Sequence, residues 1–228
     1  QAGPLLAFEV KADPANTREV TCPYDRRQRV GSIQWTTAEQ AGKAVDAAWA
    51  AFPHWADTPV AERAAIVRRL GDLMEDHMAE LMTLCSREGG KLLTDGIDEV
   101  REAVDFCRYY AMKAEELFAE PTRLPGPTGE SNDLMMGGKG VFAAISPWNF
   151  PVAIFCGQLV AAAVAGNTVL AKPAEQTSLI AHRVIELLFE AGMPRDVVQL
   201  LPGDGPTVGS VLTRDPRITG VVFTGGTD

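Results

Sequence analysis

Cysteine is scarce in this sequence, which bears on metal binding and on cellular location. The chain has only four cysteines in 228 residues, and they are Cys22, Cys85, Cys107 and Cys156. Their positions show no C-x-x-C or other zinc-type spacing, so no metal site is expected. Cysteines without such a pattern are by default the reduced thiols of a cytoplasmic protein, and that is the predicted location.

Long apolar runs and runs of basic residues are absent as well. The most apolar stretch, residues 152–165, falls short of the roughly 20 residues that cross a bilayer and is interrupted by Gln158, so no transmembrane segment is expected. The net charge is −9, and no stretch is rich in lysine or arginine. The sequence therefore carries no electrostatic footprint for nucleic acid, although backbone amides could still hold a small anionic cofactor.

The sequence also lacks an initiator methionine and a secretory signal. It begins at Gln1, and no basic stretch followed by an apolar one comes after it. These features lead us to expect a piece of a longer protein. A hydrophobic content of 46% is enough to bury a substantial core, so the chain is expected to be soluble and globular.

The first of three helices predicted before residue 120 has a clear start signal. Thr37, with Gln40 three residues later, forms a capping-box signature for an alanine-rich helix that runs to about Phe52. Pro53 is expected to help end this helix, because proline removes a backbone donor and clashes with the preceding turn.

The other two predicted helices are amphipathic. Thr58 and Pro59 form an N-cap and first-turn pair for a long helix that continues to Gly89 and Gly90. The third begins near Asp95 and carries an apolar stripe on one face. Its charged residues are expected to face water for the most part, and they are Glu99, Arg101 and Glu102.

Residues 121–140 are rich in proline, glycine and polar residues and are predicted to form a protruding arm, in which Leu134–Met136 could be a short edge strand. Four strands follow, at Val141–Ile145, Thr168–Ala171, Val197–Leu201 and Gly220–Phe223. The helices between them are predicted at Val152–Ala165, Ser178–Ala191 and Pro206–Thr213. Apolar strands with helical crossovers indicate an α/β fold, a doubly wound and mostly parallel sheet with helices on both faces.

Each predicted strand ends in a distinctive turn, and ligands of such sheets bind beyond the carboxyl ends of the strands. The four turns are residues 146–149, 172–175, 202–205 and 224–227. We therefore predict that these turns converge on one rim and form a site there.

Two of these turns carry side chains suited to chemistry. Lys172 and Glu175 could hydrogen-bond the two hydroxyls of a ribose, and the carboxylate would favour NAD over NADP. On spacing alone, however, an ordinary exposed ion pair is the better explanation. Asn149 could donate to a developing oxyanion, or it could simply satisfy a turn. Gly205 and Gly209 fit the G-x-G-x-x-G fingerprint only loosely, so a tight turn with a packing glycine is an equal alternative.

Four motifs in order resemble the aldehyde dehydrogenase superfamily over nearly the whole chain. They are residues 145–151 (ISPWNFP), 166–178 (GNTVLAKPAEQTS), 205–209 (GPTVG) and 222–225 (VFTG). Within the superfamily, residues 88–91, 98–111 and 129–134 look most like the L-glutamate γ-semialdehyde (1-pyrroline-5-carboxylate) dehydrogenase portion of bifunctional proline utilisation A (PutA) proteins.

The resemblance implies a role for each matched residue. Asn149 would help form the oxyanion hole, Lys172 and Glu175 would bind the adenosine ribose of NAD, and Ala174 would contact the cofactor between them. The remaining positions would line the nucleotide site, and they are Ile145, Ser146, Pro147, Trp148, Gly205, Gly209, Phe223, Thr224, Gly225 and Gly226. Gly226 stands where the family usually has serine, so a hydroxyl contact to phosphate is lost there.

The resemblance also implies a division of the chain. Residues 1–120 would be the helical, N-terminal part of the NAD-binding domain, 121–140 the arm of a homo-oligomer, and 141–228 the parallel-sheet core, with the catalytic domain missing. The nucleophilic cysteine and the general-base glutamate are expected beyond Asp228, so the chain alone is predicted to be inactive. FAD is expected only if a proline dehydrogenase domain precedes Gln1.

Two alternatives to this function stay open at the level of sequence. The parent enzyme could oxidise another semialdehyde, such as succinate semialdehyde, since the residues that anchor the substrate would lie mostly in the missing half. The chain could instead be a non-catalytic, truncated nucleotide-binding module.

Overall fold

The chain begins with an antiparallel hairpin that the sequence patterns did not predict. In the computed structural model, which describes residues 1–226, strand β1 spans Thr17–Cys22 and pairs with β2, Asp25–Gln34. The predicted turn at 224–227 therefore extends partly outside the described residues, as does the final part of the predicted 141–228 core.

The first helix continues through a proline that was expected to end it. Helix α1 spans Ala38–Asp57, with the predicted capping box at Thr37 and Gln40 and with Pro53 inside it. The buried Trp55 indole donates a 2.9 Å hydrogen bond to the carbonyl of Ala163. This tertiary contact fixes the last turn in place, although proline disfavours a helix interior.

The long second helix of the prediction is two helices. Helix α2 spans Val60–Asp76 and α3 spans Met78–Gly89, with a break at His77. The predicted N-cap at Thr58 is also wrong, because Thr58 caps the carboxyl end of α1 and α2 begins without a side-chain cap. The apolar spacing continues across His77, so periodicity alone does not reveal the break.

A long helix and a small hairpin precede the main sheet. Helix α4 spans Leu93–Phe118. Strands β3, Thr122–Leu124, and β4, Asn132–Leu134, then pair as an exposed antiparallel hairpin. The predicted edge strand is therefore present but ends at Leu134, and Met135 and Met136 lie outside it.

The four predicted strands form one parallel sheet. Its strands are β5, Val141–Ile145, β6, Thr168–Lys172, β7, Val198–Leu200, and β8, Ile218–Phe223. Their spatial order is β7-β6-β5-β8, which places the first strand between the second and the fourth. The predicted doubly wound α/β fold is thus confirmed.

Helices cover both faces of this sheet. The crossover helices are α5, Ala153–Val164, α6, Ser178–Glu190, and α7, Ser210–Arg214, the last preceded by one π-helical turn at Gly205–Gly209. Helices α1 and α7 pack on one face, and α5 and α6 pack on the other beneath an outer layer of α2, α3 and α4. Within residues 1–226, no helix is long and apolar enough to pass through a lipid bilayer.

Candidate functional site

A cleft of about 840 Å³ opens at the carboxyl ends of β5, β6 and β8. Strands β6 and β8 lie on opposite sides of β5, so the strand order reverses beside β5. This is a topological switch point, where ligands bind in such folds. The cleft is lined by residues 145–149, Lys172, residues 174–176 and residues 223–226. All the predicted site residues therefore lie in one cleft except Gly205 and Gly209.

The loop after β5 presents its residues to the open side of the cleft. Ser146 is buried, and its backbone N–H donates to the carbonyl of Lys172 at 3.2 Å. Trp148 and Asn149, in contrast, are exposed. The sheet therefore fixes the start of this loop, and its tip projects beyond the sheet.

The loop after β6 is more deeply buried. The Lys172 side chain is 6% exposed, and its ammonium lies 3.4 Å from a carboxylate oxygen of Glu175, which is 34% exposed. That distance is long for a charge-assisted hydrogen bond, so both groups retain capacity for a third partner. The ammonium also donates to the carbonyl of Pro173 at 3.2 Å.

The loop after β8 closes the third side of the cleft. The N–H of Thr224 donates to the carbonyl of Ile145 at 3.1 Å, which ties this loop to the end of β5. The side-chain amide of Gln158, buried on α5, lies 3.0 Å from the Thr224 hydroxyl. In the sequence, Gln158 only interrupts an apolar run, so this contact was not predicted.

The loop after β7 lies beside the cleft. Asp204 accepts a hydrogen bond from the backbone N–H of Thr207 at 2.7 Å, and this bond lowers the pKa of the Asp204 carboxyl. A Cβ placed on Gly209 would be 4.0 Å from the Lys172 side chain, whereas Gly205 faces open space. The predicted turn at residues 202–205 therefore lies outside the cleft lining, and Gly209 in the helical turn that follows it approaches the Lys172 side chain.

The expectation that Glu99 faces water is wrong, because the structure buries its side chain to 1% exposure. One carboxylate oxygen accepts hydrogen bonds from the backbone N–H groups of Val152 and Ala153 at the start of α5, at 3.1 and 2.9 Å. The other accepts from the Lys91 ammonium at 2.5 Å. Helix N-termini attract carboxylates, but the helical pattern of α4 alone cannot show that another helix starts there.

A second buried carboxylate behaves in the same way at the next crossover. Glu88 accepts hydrogen bonds from the N–H groups of Leu179 and Ile180 near the start of α6, both at 2.8 Å. Burial raises the pKa of Glu88 to about 7, and the two N–H groups act in the opposite direction. No local signal predicted this role for Glu88.

The four cysteines are buried and lie away from the cleft lining. Burial raises the pKa of Cys85 to about 12. Cys107 and Cys156 have sulfur atoms 3.6 Å apart, and this contact together with burial raises the pKa of Cys156. Reactive cysteines need the opposite environment, one that favours the thiolate. Cys85, Cys107 and Cys156 belong to the hydrophobic core.

A larger cavity, of about 930 Å³, lies between the end of α1, the start of α2 and the loop after α6. Its lining includes several alanines together with His54, Asp57 and Glu62. It lies away from the carboxyl ends of the strands, where nucleotides bind in doubly wound folds. The smaller cleft at the switch point is therefore the better candidate site.

Comparisons with known proteins agree with this geometry. The model of the Aldehyde dehydrogenase family matches residues 10–228. The bifunctional protein PutA of Escherichia coli (strain K12) is 46% identical over 228 residues, which are 100% of this chain and 16% of that protein. The 1-pyrroline-5-carboxylate dehydrogenase 2 of Bacillus subtilis (strain 168) is 37% identical over 203 residues, which are 89% of this chain and 39% of that protein.

A solved structure shows the same fold. The 1-pyrroline-5-carboxylate dehydrogenase from Thermus, crystallised with bound NAD, superposes with a TM-score of 0.87 at 36% identity, and the match covers 92% of this chain and 40% of that one. The chain thus spans less than half the length of each of these three relatives. The family resemblance inferred from the motifs is confirmed.

Proposed function

Since this chain belongs to the aldehyde dehydrogenase family, we propose that it is the nucleotide-binding part of an enzyme of proline catabolism that oxidises L-glutamate γ-semialdehyde to glutamate with NAD. The observation that carries the proposal is the cleft in which the loops after β5, β6 and β8 meet. Relatives named PutA and 1-pyrroline-5-carboxylate dehydrogenase support the substrate, and a neighbouring structure with bound NAD supports the cofactor.

The residues of the cleft suit a dinucleotide. Lys172 and Glu175 offer a donor and an acceptor only 3.4 Å apart, which matches the neighbouring hydroxyls of a ribose. The Glu175 carboxylate would repel a 2′-phosphate, which favours NAD over NADP. Gly226 has open space where a side chain would stand, so a phosphate could approach the backbone of the loop closely.

In this proposal the chain's own residues bind and orient the reactants. NAD, when bound, supplies the acceptor for a hydride from the substrate. The side-chain amide of Asn149 donates to the aldehyde oxygen as negative charge develops on it. The thiol nucleophile and the general base are expected beyond Asp228, so we propose that residues 1–228 alone are inactive.

Steady-state kinetics of the complete protein that carries this sequence test the proposal. We expect NAD reduction with 1-pyrroline-5-carboxylate to be far faster than with succinate semialdehyde. Comparable rates would contradict the proposed substrate specificity and favour the alternative, a dehydrogenase of another semialdehyde. If no aldehyde supported NAD reduction, the proposed enzymatic activity would be contradicted and a non-catalytic nucleotide-binding module would be favoured.

For the exposed hairpin formed by β3 and β4, we propose a role in homo-oligomer contacts. Leu134, at the end of β4, and Met135, directly after it, are 49% and 75% exposed, and neighbouring exposed apolar side chains of this kind suit a protein interface. Changing both to serine should lower the mass of the complete protein measured by light scattering. The matched control is Tyr109→Ser, which removes an exposed apolar side chain on α4; an equal mass loss there would contradict the proposal.

A further inference from the structure

The carbonyl of Asn149 is held by a side chain from a distant part of the chain. The Lys91 ammonium donates to this carbonyl at 2.8 Å and to the buried Glu99 carboxylate at 2.5 Å. It also lies 4.5 Å from the ring centre of Phe150, a distance typical of a cation–π contact. Three contacts therefore attach Lys91 to the loop after β5 and to α4, the helix that carries Glu99.

Contacts with the backbone hold both partners of the Lys91–Glu99 ion pair in place. The Glu99 oxygen that does not face Lys91 accepts from Val152 and Ala153 at the start of α5. Lys91 leaves α3 through Gly90, which has a φ of +70°, and a Cβ there would lie 2.9 Å from Pro23. Glycine meets both requirements, since it tolerates positive φ and adds no side chain. The chain is thus directed so that Lys91 reaches the loop.

The β5 loop is otherwise weakly held at its tip. Trp148, Asn149 and Phe150 are all exposed, and the residue at the N-cap of α5, Val152, has no side chain that can accept a capping bond. Glu99 and Lys91 hold the segment from both ends: Glu99 binds the start of α5, and Lys91 binds the loop carbonyl three residues earlier in the chain. An exposed amide can act on a reacting atom only if its backbone is fixed to within a fraction of an ångström.

We propose that Lys91 and Glu99 are positioning residues that orient Asn149 toward the aldehyde oxygen. This inference rests on the proposed function, because it assumes that Asn149 donates to that oxygen. Neither Lys91 nor Glu99 lines the cleft, so they act through the backbone of Asn149 rather than by touching the substrate.

The decisive experiment is a double-mutant cycle in the complete protein. Lys91→Met should lower kcat for 1-pyrroline-5-carboxylate at saturating NAD by roughly 10- to 100-fold, since small displacements of a catalytic group have effects of that size. In the Asn149→Ala background, the same change should lower kcat by less than about 2-fold, because residues that act as one unit are strongly non-additive. The Kd for NAD should stay within about 2-fold throughout.

Further variants separate positioning from loss of fold. Lys91→Arg keeps the charge and should retain most of the wild-type kcat. Lys91→Met leaves Glu99 without its cation and is expected to lower the Tm. A double variant that combines Lys91→Met with Glu99→Gln removes both charges and is therefore measured as well. This double variant should keep the low kcat with a smaller loss of Tm.

Glu88→Gln is the matched structural control. Glu88 is buried like Glu99 and accepts from two N–H groups at a helix start, but it serves α6 and not the Asn149 loop. We expect Glu99→Gln to lower kcat at least 5-fold more than Glu88→Gln at a similar loss of Tm. Equal loss of kcat per degree of Tm would overturn the inference.

The outcomes distinguish this inference from the function on which it rests. If Asn149→Ala leaves kcat unchanged, the proposed role of Asn149 fails and the inference fails with it. If Asn149→Ala lowers kcat but Lys91→Met has the same effect with and without Asn149, only the inference fails. Strong non-additivity with unchanged NAD affinity supports both.

Discussion

The two loops that follow β5 and β6 connect the same kinds of elements but are held in place by different contacts. Each connects a buried parallel strand to a crossover helix, and each of these helices begins against a buried glutamate from the outer layer. Glu99 serves the first helix and Glu88 the second. In both cases a carboxylate from another helix meets the helix start, where no local side chain makes a capping hydrogen bond.

The difference lies in what surrounds each carboxylate and each loop. Glu99 pairs with Lys91, whereas within residues 1–226 no cation forms a salt bridge with Glu88. The β5 loop exposes Asn149, while the β6 loop buries Lys172. A buried loop is fixed by its own packing, but an exposed loop needs contacts from outside. In the proposed function, the β5 loop serves the chemical step and the β6 loop serves cofactor affinity.

The largest expected effect tests the β5 side of this comparison. Asn149→Ala should lower kcat by about 100- to 1,000-fold, which is the usual effect of removing one oxyanion donor. The Kd for NAD, measured by fluorescence titration, should change little. Asn132→Ala in the β3–β4 hairpin is the matched control, and a similar loss of kcat in that variant would show that the effect is not specific to the cleft.

A second prediction concerns Glu88: ionisation of its buried carboxyl should make the stability of the protein depend on pH. The pKa of Glu88 is raised from 4.5 to about 7 in the folded protein. Between these two pH values the folded protein keeps a proton on Glu88 that the unfolded protein has released. The free energy of unfolding therefore falls as the pH rises through this interval. This shift corresponds to a loss on the order of 3 kcal/mol between pH 4.5 and 8. Glu88→Gln cannot lose this proton.

The measurement is the free energy of unfolding in urea at pH 5 and pH 8, for the wild-type protein and for Glu88→Gln. The wild-type protein should lose more stability than the variant over this interval. Parallel pH profiles for the two proteins would contradict the assignment, because another group would then be responsible for the dependence.

The smallest expected effect tests the β6 side. Glu175→Ala should weaken NAD binding by roughly 10-fold, the effect of about 1.4 kcal/mol, with kcat at saturating NAD nearly unchanged. Affinity for NADP should weaken less or improve, because a repulsive carboxylate is removed. Glu190→Gln, at the exposed far end of α6, is the control. A drop in kcat with unchanged Kd for NAD would reverse the roles we assign to the two loops.

Most of the cleft was predictable because it depends on local signals. The strands at Val141–Ile145 and Thr168–Lys172 are short apolar runs that end in unusual residues, and parallel strands bring such ends to one edge. Gly205 was placed with the cleft both by its position after a strand and by resemblance, but the structure leaves it outside the lining. The turn that carries it follows β7, which lies two strands away from the switch point.

Features that depend on distant contacts could not be predicted in this way. The end of α1 beyond Pro53 is fixed by a hydrogen bond between Trp55 and Ala163, 108 residues apart. The break at His77 leaves the apolar stripe on both sides in register, so no local signal marks it.

Local sequence signals were enough to predict the four strands and three crossover helices after residue 140, their parallel sheet and most of the residues at its carboxyl edge, because apolar periodicity and turn residues act over a few positions. The buried position of Glu99, and its contact with a helix that begins 54 residues later, emerge only in the folded molecule. A carboxylate on a helix looks the same in sequence whether it meets water or the N–H groups of another helix. That choice is made by packing, which brings distant segments together.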